Sequence, residues 1–367
     1  IRRPQPEQVD LEAAAEIIRN AEKPLIIAGG GTFYSHATNE LQSFAETHNI
    51  PVIETIAGRT SLTWDHPLNC GPIGPTGSDS ANALAAKADV VIAIGTRLQD
   101  FVTGSWSAFN NPDMQLVSIN TCRFDAHKHR ALPVITDAKS AINPLNTLLG
   151  DYQAATEWQE NAASERAAWI EIVGKRTEAA DTAMPSYAQV VGQVNKLAAD
   201  NDRVVTAAGG LPAELNMNWL ARSQGNFDIE FGFSCMGYEI AGGWGVKMAC
   251  PDENVIVLVG DGSYLIMNSD IYSSVLAGHK MIVVVCDNAG FAVINKLQNN
   301  TGNDSFNNLL RDCTTARGDV ELPRVDFAKH AESLGAHAEK VGNLNDFEAA
   351  FERAKAADRT AVIVVDI

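Results

Sequence analysis

Short, nearly continuous apolar runs alternate along the chain with stretches of helical periodicity. Pro24-Leu25-Ile26-Ile27-Ala28 ends in Gly29-Gly30-Gly31, and a helix-like stretch follows from about Thr38 to His48. Pro51-Val52-Ile53-Glu54 comes next, then helix-like Ser80–Ala88 leading into the run Asp89–Gly95, then Gln115–Ile119. Such βα alternation predicts a parallel sheet covered by helices, and apolar strands with little alternation are what burial on both faces requires. Between Asp151 and Ala183 the pattern changes to mixed charges, Ala and Trp (WQENAASERAAWIEIVGKRTEA), which predicts a long surface helix and a linker. Pro185 then opens a second βα series, with strands expected at Arg203–Thr206, Asp228–Glu230, Val255–Val259, Met281–Cys286 and Ala361–Asp366. The fold class is α/β with two parallel-sheet domains, at 1–155 and 184–367, joined by a helical linker at 156–183.

The chemistry concentrates in the second series. The run Val255–Val259 ends in Gly260-Asp261-Gly262, and Met281–Cys286 ends in Asp287-Asn288, 27 residues after Asp261. With a crossover helix over about 265–278, this is one βαβ unit. A crossover places parallel strands side by side with their carboxyl ends at one edge, where open α/β sheets bind ligands. Asp261 and Asn288 both offer oxygen, which suits a hard divalent cation, Mg²⁺ or Ca²⁺, and Mg²⁺ in particular takes one or two carboxylates with phosphate and water. The carbonyl of Gly290 is a candidate third ligand. Gly262 and Ser263 lie near the start of the crossover helix, where N–H groups favour an anion. Gly-Asp-Gly alone reads more simply as a helix cap at Asp261, with Asn288 shaping a turn. Combined with Asp-Asn-Ala-Gly at this spacing after an apolar strand, the cation–diphosphate reading prevails.

Composition narrows the partners. The 367 residues carry a formal charge of −17 with no basic cluster, so a nucleic-acid partner is not expected and an anionic ligand needs backbone N–H groups or a cation. The six cysteines contain no Cys-x-x-Cys pair, which argues against a disulfide framework or zinc site and fits a reduced cytoplasmic compartment. No apolar run approaches the ~20 residues of a membrane helix, and Ile1–Asp10 lacks the apolar stretch of a signal peptide. Gly29–Gly31 does not match G-x-G-x-x-G, so a tight turn is preferred there over a nucleotide site.

Gly260-Asp261-Gly262 through Asn288 resembles the cofactor motif of the thiamine diphosphate (ThDP) enzymes. FSCMGYEIAGGWGVKMA and VVTAAGGLPAELNMNWL are similar to two further segments of that family. The resemblance implies ThDP with Mg²⁺ held by Asp261, Asn288 and the Gly290 carbonyl. It places Met236 under the bent cofactor and the Ser234 carbonyl against its aminopyrimidine. It puts the backbone of Gly210 and Leu211, with Gly260, Gly262 and Ser263, around the diphosphate. Pro212 stands where acetolactate synthases commonly carry His, which removes that side chain from the phosphate.

In the first half, ADVVIAIGTRLQDF and VSINTCRFDAHKHRALPVITDAKSAI resemble the family's Rossmann-like central domain. The chain thus aligns with a central domain, a linker and a diphosphate-binding (PP) domain. The combined motifs are most similar to a hydrolytic subgroup that opens the ring of a cyclic diketone in inositol catabolism, giving 5-deoxy-glucuronate. Acetolactate synthase-like or 2-oxoacid decarboxylase activity, or a ThDP-binding module without catalysis, are the alternatives. Decarboxylases of one type place Glu where this chain has Ile294. Asn295 and Gln298 are candidate substrate contacts, and no spacing singles out His127, His129 or His279.

The family's catalytic Glu, which contacts N1′ of the cofactor, belongs to an N-terminal pyrimidine-binding (PYR) domain. Glu22, Glu40, Glu46 and Glu54 sit in central-domain patterns instead. The chain is therefore expected to be a fragment or the large part of a split enzyme. Its half-site would be completed by the PYR domain of a partner subunit in a homodimer or homotetramer.

Overall fold

In a computed structural model of the chain, the described residues are 2–179, 184–316 and 324–367. They form two compact units, one of residues 1–175 with 220–225 and one of 176–219 with 226–367. The final residues of the expected linker, 180–183, lie outside the described residues.

The first unit holds a six-stranded parallel sheet. Its strands are β1 (Pro24–Ala28), β2 (Val52–Glu54), β3 (Asn69–Pro72), β4 (Val90–Ile94), β5 (Gln115–Asn120) and β6 (Leu132–Ile135), in the order β3-β2-β1-β4-β5-β6. All five residues of β1 and of β4 are buried, as two-faced helix cover demands. The strand order reverses between β1 and β4, where such sheets often take a ligand. Here the chain fills that crevice itself. Gly29 N–H donates to Ile94 O at 2.8 Å and Gly31 N–H to Gly95 O at 2.9 Å. A Cβ on Gly31 would stand 2.6 Å from Gly95 Cα, so the glycines permit two backbones to touch.

The charged helix Thr156–Thr177 is less of a surface element than its composition predicts. Trp158 and Trp169 are almost wholly buried. The Trp158 indole donates to Pro24 O at 2.8 Å, tying the helix to β1. Glu54 ends β2 inside the protein, paired with Arg59 at 2.5 Å and accepting Leu62 N–H at 3.0 Å. Burial raises the Glu54 pKa and Arg59 opposes that shift.

The second unit repeats the plan with β7 (Arg203–Thr206), β8 (Phe227–Ile229), β9 (Val255–Gly260), β10 (Ile282–Asp287), β11 (His337–Val341) and β12 (Ala361–Asp366). The order is β11-β12-β10-β9-β7-β8, all parallel. β9 and β10 are neighbours in register, with Ile256 beside Ile282 and Gly260 beside Cys286. β7 leads outward to β8, while β9 begins on its other side. The switch point therefore lies between β7 and β9, with the β10 loop alongside.

One expectation needs correction. The single crossover helix over 265–278 is two helices, Asp261–Ile266 and Ser269–Ala277. The first begins at Asp261 itself. Met267, at φ −141° and ψ 50°, breaks the path between them.

Candidate functional site

Asp261 and Asn288 follow the carboxyl ends of adjacent strands, and the loop after β10 brings their surroundings together. Asp287 accepts Ala289 N–H at 2.9 Å, and Gly290 N–H donates to Asp261 Oδ2 at 2.8 Å. Gly290 has φ +147°, and Asn308 O would meet any Cβ there, so only glycine suits this turn. Phe291 N–H reaches Asn308 O at 2.7 Å and fixes the loop against the segment 308–310.

Asp261 is 6% exposed, yet its Oδ1 has no hydrogen-bond partner among the described residues. Burial pushes this carboxyl up to about 6, and the charge of Asp287 adds to the shift. Asn288 donates from Nδ2 to the Tyr187 hydroxyl at 2.5 Å, while its own Oδ1 is buried and likewise unpartnered. Buried polar atoms are satisfied in the great majority of cases. Two orphan oxygens at one sheet edge, one of them on a carboxyl whose charge burial disfavours, fit the ligands of a cation. Among the described residues no group of three or more His, Cys, Asp or Glu could hold a metal. A cation here would rest on one carboxylate and one amide, which suits Mg²⁺ completed by phosphate and water.

Several of the other expected residues are linked to this pair or to its neighbours. A Cβ on Gly262 would lie 2.8 Å from the Phe291 ring and 3.3 Å from Met236 Cε, so the Met236 thioether stands over the Gly-Asp-Gly turn. Ser234 has φ +54°. Its loop is wound on Glu230, which accepts N–H groups from Phe233 at 3.0 Å and Cys235 at 2.8 Å. Gly210 caps the helix Leu211–Asn218, with Leu211 buried behind it. A Cβ on Gly210 would lie 3.0 Å from the Tyr187 ring. Ser263 is buried, and its side chain stands near Glu239, where it favours the charged carboxylate. Gly260 ends β9 in extended conformation, φ −80° and ψ 159°, directing the chain into Asp261.

Three residues here carried no signal in the sequence. Tyr187 touches both Gly210 and Asn288 from a distant helix start. Phe291 lies immediately after the motif. Glu239 lies in the first turn of the helix Tyr238–Ala249, and only its long-range partner Ala208 reveals its role. Gln298 is engaged within its own loop. Its amide nitrogen donates to Asp304 O at 2.5 Å and its oxygen accepts from Asn308. Asn295 is 8% exposed, and its Oδ1 has no partner among the described residues. The histidines are engaged elsewhere: His127 with Arg123 O, His129 stacked on Trp106 at 3.8 Å, and His279 with the Trp244 indole.

Residues 11–145 match the description "Thiamine pyrophosphate enzyme, central domain", and residues 208–365 match "Thiamine pyrophosphate enzyme, C-terminal TPP binding domain". The chain belongs to the thiamine diphosphate enzymes. It is similar to proteins named 3D-(3,5/4)-trihydroxycyclohexane-1,2-dione hydrolase. The one from Clostridium tetani (strain Massachusetts / E88) is 36% identical over 393 residues, covering 100% of this chain and 61% of the relative. That of Geobacillus thermodenitrificans (strain NG80-2) is 35% identical over 392 residues, with the same coverage. That of Bacillus subtilis (strain 168) is 33% identical over 393 residues, covering 100% of this chain and 60% of the relative. The chain thus spans about three-fifths of the length of these relatives. The second match encloses Asp261, Asn288, Met236 and Gly210, so the ThDP-binding domain and the edge with two orphan oxygens coincide.

Proposed function

We propose that this protein serves a ThDP- and Mg²⁺-dependent hydrolase that cleaves a carbon–carbon bond in the ring of trihydroxycyclohexane-1,2-dione, giving 5-deoxy-glucuronate in cytoplasmic inositol catabolism. The observation that carries the cofactor part is the pair of buried, unpartnered oxygens, Asp261 Oδ1 and Asn288 Oδ1. The substrate part rests on similarity to relatives that bear that name over the whole of this chain.

Asp261, Asn288 and the Gly290 carbonyl would hold Mg²⁺. The backbone of Gly210, Leu211, Gly262 and Ser263 would face the diphosphate, and their neutral N–H groups suit an anion in so acidic a protein. Met236 would support the bent cofactor from below, with the Ser234 carbonyl beside its aminopyrimidine. The bound cofactor supplies an electron sink at the substrate carbonyl carbon. Ile294, half-exposed, presents no acid where decarboxylases of one type carry Glu. Exposed Met236, Leu265, Ile266 and Phe291 leave an apolar rim beside the site. That rim is suited to a PYR domain from a partner subunit in a homodimer or homotetramer, which would add the Glu for N1′. No helix among the described residues is long and apolar enough to cross a membrane.

Substrate profiling tests the reading. With Mg²⁺ and ThDP present, the complete enzyme should consume the cyclic diketone and leave pyruvate untouched. Turnover of pyruvate with none of the diketone would overturn the substrate assignment.

A further inference from the structure

We propose that Glu239 is a positioning residue whose carboxylate clamps the loop after β7 to the loop that carries Met236, beside the Gly-Asp-Gly turn. The proposal rests on the reading of this edge as a ThDP site and deepens it.

Glu239 is wholly buried, in the first turn of the helix Tyr238–Ala249. Its Oε1 accepts the N–H of Ala208 at 3.0 Å, and its Oε2 accepts the N–H of Gly237 at 2.9 Å. The Ser263 side chain stands near the same carboxylate and favours its charged form. These neighbours belong to three separate segments. Ala208 follows β7, two residues before Gly210. Gly237 directly follows Met236. Ser263 follows Gly262 in the turn after β9. A helix cap would need only the bond to Gly237, whereas the bond to Ala208 crosses to another strand. Burying a carboxylate is unfavourable unless donors surround it, and the helix N-terminus adds a favourable field.

The clamp matters because the loops it joins are not regular structure. Ser234, Gly237 and Gly209 all have positive φ, at 54°, 93° and 83°. Sheet hydrogen bonding does not hold such segments, so their mutual position depends on side-chain ties. Only a carboxylate accepts hydrogen bonds at both oxygens. A glutamine of the same shape would turn its NH₂ toward one of the two N–H groups and push that loop away. Glu239 acts through the loops, not by touching the cofactor.

The test compares Glu239→Gln with the unaltered protein in calorimetric titration with Mg²⁺–ThDP, alongside thermal unfolding without cofactor. The expected result is binding weakened by about tenfold or more in a folded variant. Ser263→Ala, which removes the polar neighbour that favours the charged carboxylate, should weaken binding several-fold. A purely structural Glu239 would lower the unfolding midpoint and leave the affinity of the folded protein unchanged, which would overturn the proposal. Where Glu239→Gln does not fold, Ser263→Ala decides alone, and unchanged affinity in that variant counts against the clamp. Absence of binding by the unaltered protein would sink the cofactor reading together with this one. Normal binding by both proteins would sink the clamp only.

Discussion

At the scale of single residues, the site is defined by what its atoms lack. Asp261 and Asn288 each spend one polar atom inside the protein and leave one buried oxygen without a partner. The Tyr187 hydroxyl accepts the Asn288 Nδ2 donor and holds the amide in place, with Oδ1 turned away from it. Tyr187→Phe should therefore weaken Mg²⁺ binding several-fold by freeing the amide to turn. The lost hydrogen bond should cost roughly 1 kcal/mol of stability. Paired titrations with Mg²⁺ and urea melts separate the two effects, and unchanged Mg²⁺ affinity would show that Tyr187 does not orient the ligand. Gly262→Ala places a methyl group against the exposed Phe291 ring and Met236 Cε. Those side chains can shift, so stability should hold within about 1 kcal/mol. ThDP affinity should still fall, because the methyl enters the space over the turn; equal affinity would show that this space is not used. The motif residues were legible in sequence because Gly-Asp-Gly and Asp-Asn-Ala-Gly are local signatures on one βαβ unit. Tyr187 and Glu239 were not, since their importance arises from long-range neighbours that spacing does not encode.

At the scale of elements, the strands announced themselves where burial is two-sided. PLIIA, VIVLVG, IVVVCD and AVIVVD are continuous apolar runs, and each appears as a central or near-central strand. β3 (Asn-Cys-Gly-Pro), β6 (Leu-Pro-Val-Ile) and β11 (His-Ala-Glu-Lys-Val) escaped sequence reading. They are edge strands, where Gly, Pro and polar residues are tolerated and the ladder is imposed by a single neighbour. The charged helix Thr156–Thr177 misled in the other direction, because two tryptophans bury one side of it. Trp158→Phe should remove the bond to Pro24 O and leave that carbonyl unsatisfied, costing about 1–3 kcal/mol in denaturant unfolding. A change within error would show that the helix is not held by that bond. Glu54→Gln breaks a buried ion pair and leaves the Arg59 charge enclosed, so the loss should approach 3–5 kcal/mol. A stability loss below about 1 kcal/mol would contradict this account of the β2 turn.

At the scale of the whole molecule, two sheets of the same plan have been put to different use. In the first unit, backbone contact between Gly31 and Gly95 fills the switch-point crevice. In the second, the equivalent edge carries the loops after β7, β9 and β10 and the two orphan oxygens. Similar apolar strands therefore predicted both sheets but could not distinguish the closed edge from the ligand edge. The loop sequences made that distinction. The central claim is that the open edge is a cation-dependent diphosphate site, and calorimetric titration with ThDP, with and without Mg²⁺, tests it most directly. The account predicts saturable binding that requires Mg²⁺ and is abolished in a folded Asp261→Ala variant. Binding that ignores Mg²⁺, or that survives Asp261→Ala unchanged, would contradict it.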